Sequence, residues 1–146
     1  MRTLWRGIAV GLAGCMAAPI LACGFCIEDK IAAVYDHAVA TSAITQKHAV
    51  VFFAVEGNIP AGEGSRRMLE KAVESIPGVD QGSVRVSIES ASLSAAFDPA
   101  RALSDDLERA LGRKLARKGL TVGIMRIMEK PAELKMAGKP RVLDRP

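Results

Sequence analysis

Hydrophobic and polar positions follow helix and strand periods along most of this chain. Residues 27–45 place apolar side chains at helical spacing and charged residues on the other faces, which predicts one amphipathic helix. Residues 48–56 are apolar at odd and even positions alike and rich in Val and Phe, which predicts a strand buried on both faces. Pro60 and the three glycines of residues 57–64 then interrupt the pattern.

A second helix and a hairpin are predicted next. Apolar positions recur at helical spacing in residues 65–76, and Pro77-Gly78 ends that helix. Polar and apolar residues then alternate in residues 84–88 and again in 92–97, which predicts two strands joined by a turn near Ser90.

Asp98-Pro99 predicts the start of a third helix, because Asp caps helices and Pro is favoured at the first helical position. Its apolar stripe is formed by four leucines: Leu103, Leu107, Leu111 and Leu115. Lys118-Gly119 ends it, and a last strand runs from Leu120 toward Met128. Residues 129–146 contain three prolines and mixed charge, and are interpreted as a flexible C-terminal tail.

From residue 48 the predicted order is strand, helix, strand, strand, helix, strand. This order predicts an α+β fold, a ferredoxin-like βαββαβ sandwich over residues 48–128 with an additional N-terminal helix in residues 23–47. Such a sandwich carries both of its helices on one face of the sheet. Because residues 48–56 are apolar on both faces, we expect the helix of residues 27–45, or a second subunit, to cover the other face.

Residues 1–22 have the pattern of a secretory signal peptide. Arg2 and Arg6 precede an uncharged, mostly apolar run, and cleavage after Ala22 would leave Cys23 as the first mature residue. The predicted location is therefore periplasmic or secreted. Two alternatives involve the membrane: Leu12-Ala13-Gly14-Cys15 resembles a bacterial lipobox with Cys15 as the lipidated residue, and an uncleaved segment would act as an anchor.

Composition and charge are those of an ordinary globular domain. The chain has 146 residues, of which 49% are hydrophobic and 25% charged, and its formal charge is +4. Without Arg2 and Arg6, 18 basic residues face 16 acidic ones, which leaves +2. No stretch gathers Lys and Arg with interleaved aromatic residues, so no nucleic-acid partner is predicted.

Cys23 and Cys26 form a Cys-x-x-Cys motif immediately before the first predicted helix. Two thiols at this spacing can bind a soft metal ion or close a disulfide, and the helix dipole favours thiolate at this position. Thiol redox activity is a third alternative, but redox motifs of the thioredoxin type follow a strand, and no strand is predicted before Cys23. His37 lies about 16 Å along the helix from Cys26 and is not expected to share a metal with it. No catalytic constellation is found, so a binding protein rather than an enzyme is predicted.

Residues 48–128 resemble the heavy-metal-associated domain of copper chaperones and metal-pumping ATPases. The resemblance rests on Ile76-Pro77-Gly78-Val79, the alternating strand 84–88, and Phe97-Asp98-Pro99 ahead of a leucine-spaced helix that ends in Lys118-Gly119-Leu120. It implies a ferredoxin-like fold and binding of copper(I) or zinc(II) by two cysteines in the loop after the first strand. Here those positions fall at about Gly62 and Ser65, so the usual ligands are absent.

The segment from Cys23 to Val34 resembles the same cysteine signature joined to its helix, displaced upstream of the sandwich. The predicted function is therefore an exported protein that binds or transfers a soft metal through Cys23 and Cys26. Copper(I) is favoured, because zinc(II) would need two further ligands from water, a histidine or a partner chain, such as a second copy. The alternatives are a non-catalytic interaction module with a disulfide at this motif, or a thiol redox protein.

Overall fold

A computed structural model describes residues 26–129 of the chain; the predicted signal peptide, Cys23 and the tail from residue 130 onward lie outside these residues. The secondary-structure elements in chain order are α1 (Ile27–Val34), α2 (His37–Thr45), β1 (Ala49–Glu56), α3 (Glu63–Glu74), β2 (Arg85–Ser87), β3 (Ser92–Phe97), α4 (Ser104–Ala116) and β4 (Thr121–Met128).

The four strands form one antiparallel sheet in the order β2-β3-β1-β4. The most apolar strand, β1, is central, and pairs with β3 on one side and β4 on the other. The register of β4 shifts between the partners of Phe52 and Phe53, and leaves Met125 as an extra, bulged residue. Residues 26–129 therefore form an α+β fold with four helices and a four-stranded antiparallel sheet, which is compatible with a ferredoxin-like fold.

The main core lies on the face of the sheet that α3 and α4 cover. Alternate residues of β1 point into it, namely Val51, Phe53 and Val55, because successive side chains of a strand face opposite ways. They pack with Leu69 and Val73 of α3 and with the α4 leucines 107, 111 and 115. These residues are all buried, so the strand and helix periods predicted for these segments are confirmed.

A second core lies on the opposite face, beneath α1 and α2. Val50 and Phe52 of β1 pack there against Ile31 and Val34 of α1, together with Ala40, Ala43, Ala96 and Met128. Both faces of β1 are thus buried, as the pattern of residues 48–56 predicts. α1 and α2 therefore cover the second face of the sheet, which the sequence predicts to be buried by an additional element.

The prediction of one continuous helix over residues 27–45 is wrong, because Tyr35 and Asp36 adopt extended backbone conformations and separate α1 from α2. Asp36 caps α2: one carboxylate oxygen accepts from the amides of Ala38 and Val39 at 2.9 and 3.1 Å. Its other oxygen accepts from Arg85 Nε on β2 at 2.9 Å. The break lets each short helix place its own small apolar face on the twisted sheet.

The predicted start of the third helix at Asp98-Pro99 is also wrong, since α4 begins at Ser104. The carboxylate of Asp98 accepts from the Ala100 amide at 2.9 Å, which makes a local turn. The Asp98 amide donates to the Gly78 carbonyl at 3.0 Å. Gly78 has φ +94°, and a Cβ there would lie 2.7 Å from Ala102 Cβ, so the turn packs closely on Pro77-Gly78 before α4 begins. Leu103, predicted to be part of the stripe, is 65% exposed.

The two edges of the sheet differ in length. β2 has three residues, whereas β4 has eight. At the β4 edge the Ile124 amide donates to Glu108 Oε1 of α4 at 2.9 Å. This amide is therefore satisfied by a side chain instead of by another strand.

Candidate functional site

Cys26 lies immediately before α1 and is exposed. Its backbone is extended, with φ −60° and ψ 161°, and its carbonyl accepts from the Lys30 amide at 3.1 Å. Its thiol donates to Asp29 Oδ2 at 3.0 Å, so the sulfur and the carboxylate share one side of the first helical turn. The Cys26 sulfur is accessible from solvent and already lies beside a second potential ligand atom.

The helix that carries Cys26 is fixed to the sheet at both ends. Near its start, the Glu28 carboxylate pairs with Arg126 of β4. Farther along, the Ser92 hydroxyl donates to the Lys30 carbonyl at 2.9 Å, and the Ser94 hydroxyl donates to the Val34 carbonyl at 2.6 Å. These contacts span α1, and together with its buried apolar side chains they hold the helix that follows Cys26 against the sheet.

The Cys26 thiol lies beside an acidic helical turn. Glu28 and Asp29 both belong to the first turn of α1, where carboxylates complement the positive end of the helix dipole. Cysteines that act as nucleophiles usually lie beside Lys, Arg or His, whereas the hydrogen-bond partner of Cys26 is a carboxylate. This arrangement suits attraction of a cation better than nucleophilic attack.

The second predicted ligand, Cys23, lies outside the described residues. Among residues 26–129, no group of three or more His, Cys, Asp and Glu side chains is arranged to hold a metal ion. Gly62 and Ser65, the positions that the resemblance to the heavy-metal-associated domain would assign to cysteines, are the N-cap of α3 and a residue of its first turn.

The two histidines have separate surroundings. His37 Nδ1 lies 3.2 Å from the Tyr35 hydroxyl, and the pKa of Tyr35 is raised by burial and by the nearby charge of Asp36. His48, which precedes β1, places Nδ1 2.7 Å from Asp80 Oδ2. The pattern of residues 48–56 predicts that a strand opens near His48. It does not predict that Asp80 is the partner of His48, because the two residues are 32 positions apart in the sequence.

Within residues 26–129, no helix is long and apolar enough to span a membrane. Comparison of the chain with protein-family models found no match. Comparison with curated protein sequences likewise found none.

Proposed function

We propose that this protein is a small exported soft-metal-binding protein that uses the thiolates of Cys23 and Cys26 to handle or transfer the ion. Copper(I) is the favoured ion and zinc(II) the alternative. The observation that carries the proposal is the exposed Cys26 thiol, which is presented at the start of a helix docked on the sheet. A transfer site needs this combination, because the ligand has to be reachable by a partner and yet held in place.

The ligand chemistry follows from donor type. Two thiolates suit copper(I), which accepts few, soft ligands, and the acidic first turn of α1 favours any cation at this point. Zinc(II) needs four ligands, and Asp29 Oδ2, 3.0 Å from Cys26 Sγ, is an additional oxygen at this point. The choice of metal therefore depends on whether Asp29 takes part.

The proposed architecture is a ferredoxin-like βαββαβ domain of the heavy-metal-associated type, made of β1, α3, β2, β3, α4 and β4, with α1 and α2 added on the second face. The sheet order β2-β3-β1-β4 supports it. In this arrangement the cysteine motif has moved from the loop before α3 to the segment before α1. We also propose export through residues 1–22 to a periplasmic or extracellular location, and a non-enzymatic role.

A non-catalytic interaction module is the second candidate function. The observation in its favour is the exposure of two large apolar side chains, Ile27 at 55% and Leu103 at 65%. In that case Cys23 and Cys26 would close a disulfide, which an oxidising compartment permits.

Copper(I) competition separates the two candidates. The reduced protein, purified after export, is titrated against a chromophoric copper(I) chelator of known affinity. We expect about one copper(I) per chain, or per dimer that shares thiols, and a loss of affinity by orders of magnitude in Cys26→Ser, because one thiolate cannot replace a two-thiolate chelate. The far-ultraviolet circular dichroism of Cys26→Ser should be unchanged, since the residue is exposed.

Asp29→Asn is the matched variant that identifies the metal. It keeps the shape of the side chain but removes the carboxylate, so it should weaken zinc(II) and leave copper(I) affinity nearly unchanged. Mass spectrometry of the same samples reports the mature N-terminus, the thiol state and any bound metal. Equal copper(I) retention by the wild type and Cys26→Ser would end the metal-binding proposal for this motif and favour the interaction module.

A further inference from the structure

Three arginine side chains line one cavity of about 250 Å³ between the end of α3 and the start of α4. Arg101 belongs to the turn before α4, whereas Arg109 and Arg113 lie one helical turn apart on α4. We call this feature the arginine cavity. Its other lining residues are mostly apolar: Ile76, Pro77, Ala102, Leu107 and Ala110.

The positive charge of the arginine cavity is only partly compensated. Arg109 pairs with Asp106, which also lines the cavity. Neither Arg101 nor Arg113 forms an ion pair with another residue in the range 26–129 that the structure describes. Three guanidinium groups and one carboxylate leave a net charge of +2 around a small space.

Two of the three arginines lie close enough on α4 to repel each other. Like charges four residues apart on a helix repel each other, and Arg109 and Arg113 have this spacing. A bound anion would remove the repulsion, because a guanidinium group donates two parallel hydrogen bonds to an oxyanion. All three arginines are solvent-exposed, so their guanidinium groups can reach an anion that enters the cavity.

The size and charge of the cavity define the ligand class. A phosphate monoester carries between one and a half and two negative charges near neutral pH, which balances the net charge of +2, whereas a phosphodiester carries one. The apolar floor suits a short carbon chain attached to the phosphate. We propose that the arginine cavity binds a phosphomonoester, either as a small soluble molecule or as the headgroup of a phosphatidate lipid.

The proposal is tested on the protein purified from cells that express the full-length chain, with binding followed by amide chemical shifts in nuclear magnetic resonance. Glycerol 3-phosphate serves as the soluble probe, and sedimentation with phosphatidate vesicles serves as the lipid arm. We expect saturable shifts confined to residues near the cavity, with Arg101→Gln/Arg113→Gln weakening binding at least tenfold. Saturation by the soluble probe assigns a soluble ligand, and binding to phosphatidate vesicles alone assigns the lipid.

The control is Lys114→Gln/Arg117→Gln, which removes the same charge from the last turn of α4 and from its C-cap without changing a residue that lines the cavity. It should change affinity less than threefold. Equal weakening by the control variant, equal binding to phosphatidylglycerol vesicles, or no saturable binding of either probe would each overturn the proposal. The metal-binding proposal is unaffected by any of these outcomes, since the substituted residues belong to α4 and its flanking residues, whereas Cys26 precedes α1, and the two helices pack in different cores.

Discussion

Replacing Ser94 by Ala is expected to loosen α1 from the sheet. The Ser94 hydroxyl donates to the Val34 carbonyl at 2.6 Å, and the two residues are 3% and 2% exposed. Val34 is the last residue of α1, so its carbonyl has no amide partner within that helix. The substitution therefore leaves a buried acceptor without its donor.

The magnitude follows from that geometry. A typical intramolecular hydrogen bond stabilises a fold by about 1 kcal/mol net, but leaving a buried acceptor unsatisfied costs about 1–3 kcal/mol. We expect the free energy of unfolding to fall by about 2 kcal/mol. For a domain of this size, each 1 kcal/mol corresponds to roughly 4–8 °C in Tm.

Urea and thermal unfolding measure this loss, with Ser75→Ala as the control because the exposed Ser75 hydroxyl donates only to the Ala72 carbonyl of its own helix end. The control should change stability by less than about 0.5 kcal/mol. Amide exchange adds the location: residues 27–45 should be protected together with β1 in the wild type and exchange faster in Ser94→Ala. Equal losses of stability in Ser94→Ala and Ser75→Ala would show that the Ser94 hydroxyl does not dock the helix.

Two further predictions concern the backbone and the pH dependence of stability. The pKa of Asp36 is lowered by the hydrogen bond from the Val39 amide and then by Arg85, so its contribution is present above the ordinary value of 3.8 and is lost as pH falls through the lower native value. Asp36→Asn should therefore show a shallower loss of stability in urea unfolding between pH 5 and acid pH, and an unchanged pH profile would contradict this. Ala91 has φ 48°, a left-handed conformation that glycine adopts more easily, so Ala91→Gly should raise the free energy of unfolding by about 0.5–1 kcal/mol. A lower thermal midpoint in that variant would refute the prediction.

Much of the sheet could be predicted from the sequence because its central strand carries the information locally. Val50 and Phe52 on one side of β1, and Val51 and Phe53 on the other, show directly that both faces are buried. The alternation in residues 92–97 was less informative. Ser92 occupies a position that suits solvent, yet it is buried because its hydroxyl bonds to α1, 62 residues earlier in the chain.

The helix ends were harder to predict for a similar reason. Apolar spacing continues across Tyr35 and Asp36, so the pattern hides the break, although Asp is a favoured helix cap. Asp98 is a second case, in which a residue favoured as a helix cap forms a turn and no helix follows directly. The contact of this turn with Gly78 delays the start of α4. For the candidate site, the prediction that Cys26 precedes a helix is confirmed. The hydrogen bond from the thiol to Asp29 and the ion pair between Arg126 and Glu28 were not predicted, because both depend on side-chain placement.

The carboxylate of Glu108 has a consequence for how this protein behaves in a crowded compartment. An eight-residue edge strand offers a template on which another chain can add a strand, and such templates promote aggregation. Because the Glu108 carboxylate accepts the hydrogen bond of the Ile124 amide, an incoming strand would have to displace this charged group before it could pair along the whole of β4. The opposite edge presents only the three residues of β2. The sheet is thus protected from growth at one edge by a charge and at the other by its shortness, which lets the domain remain a discrete unit at high local concentration.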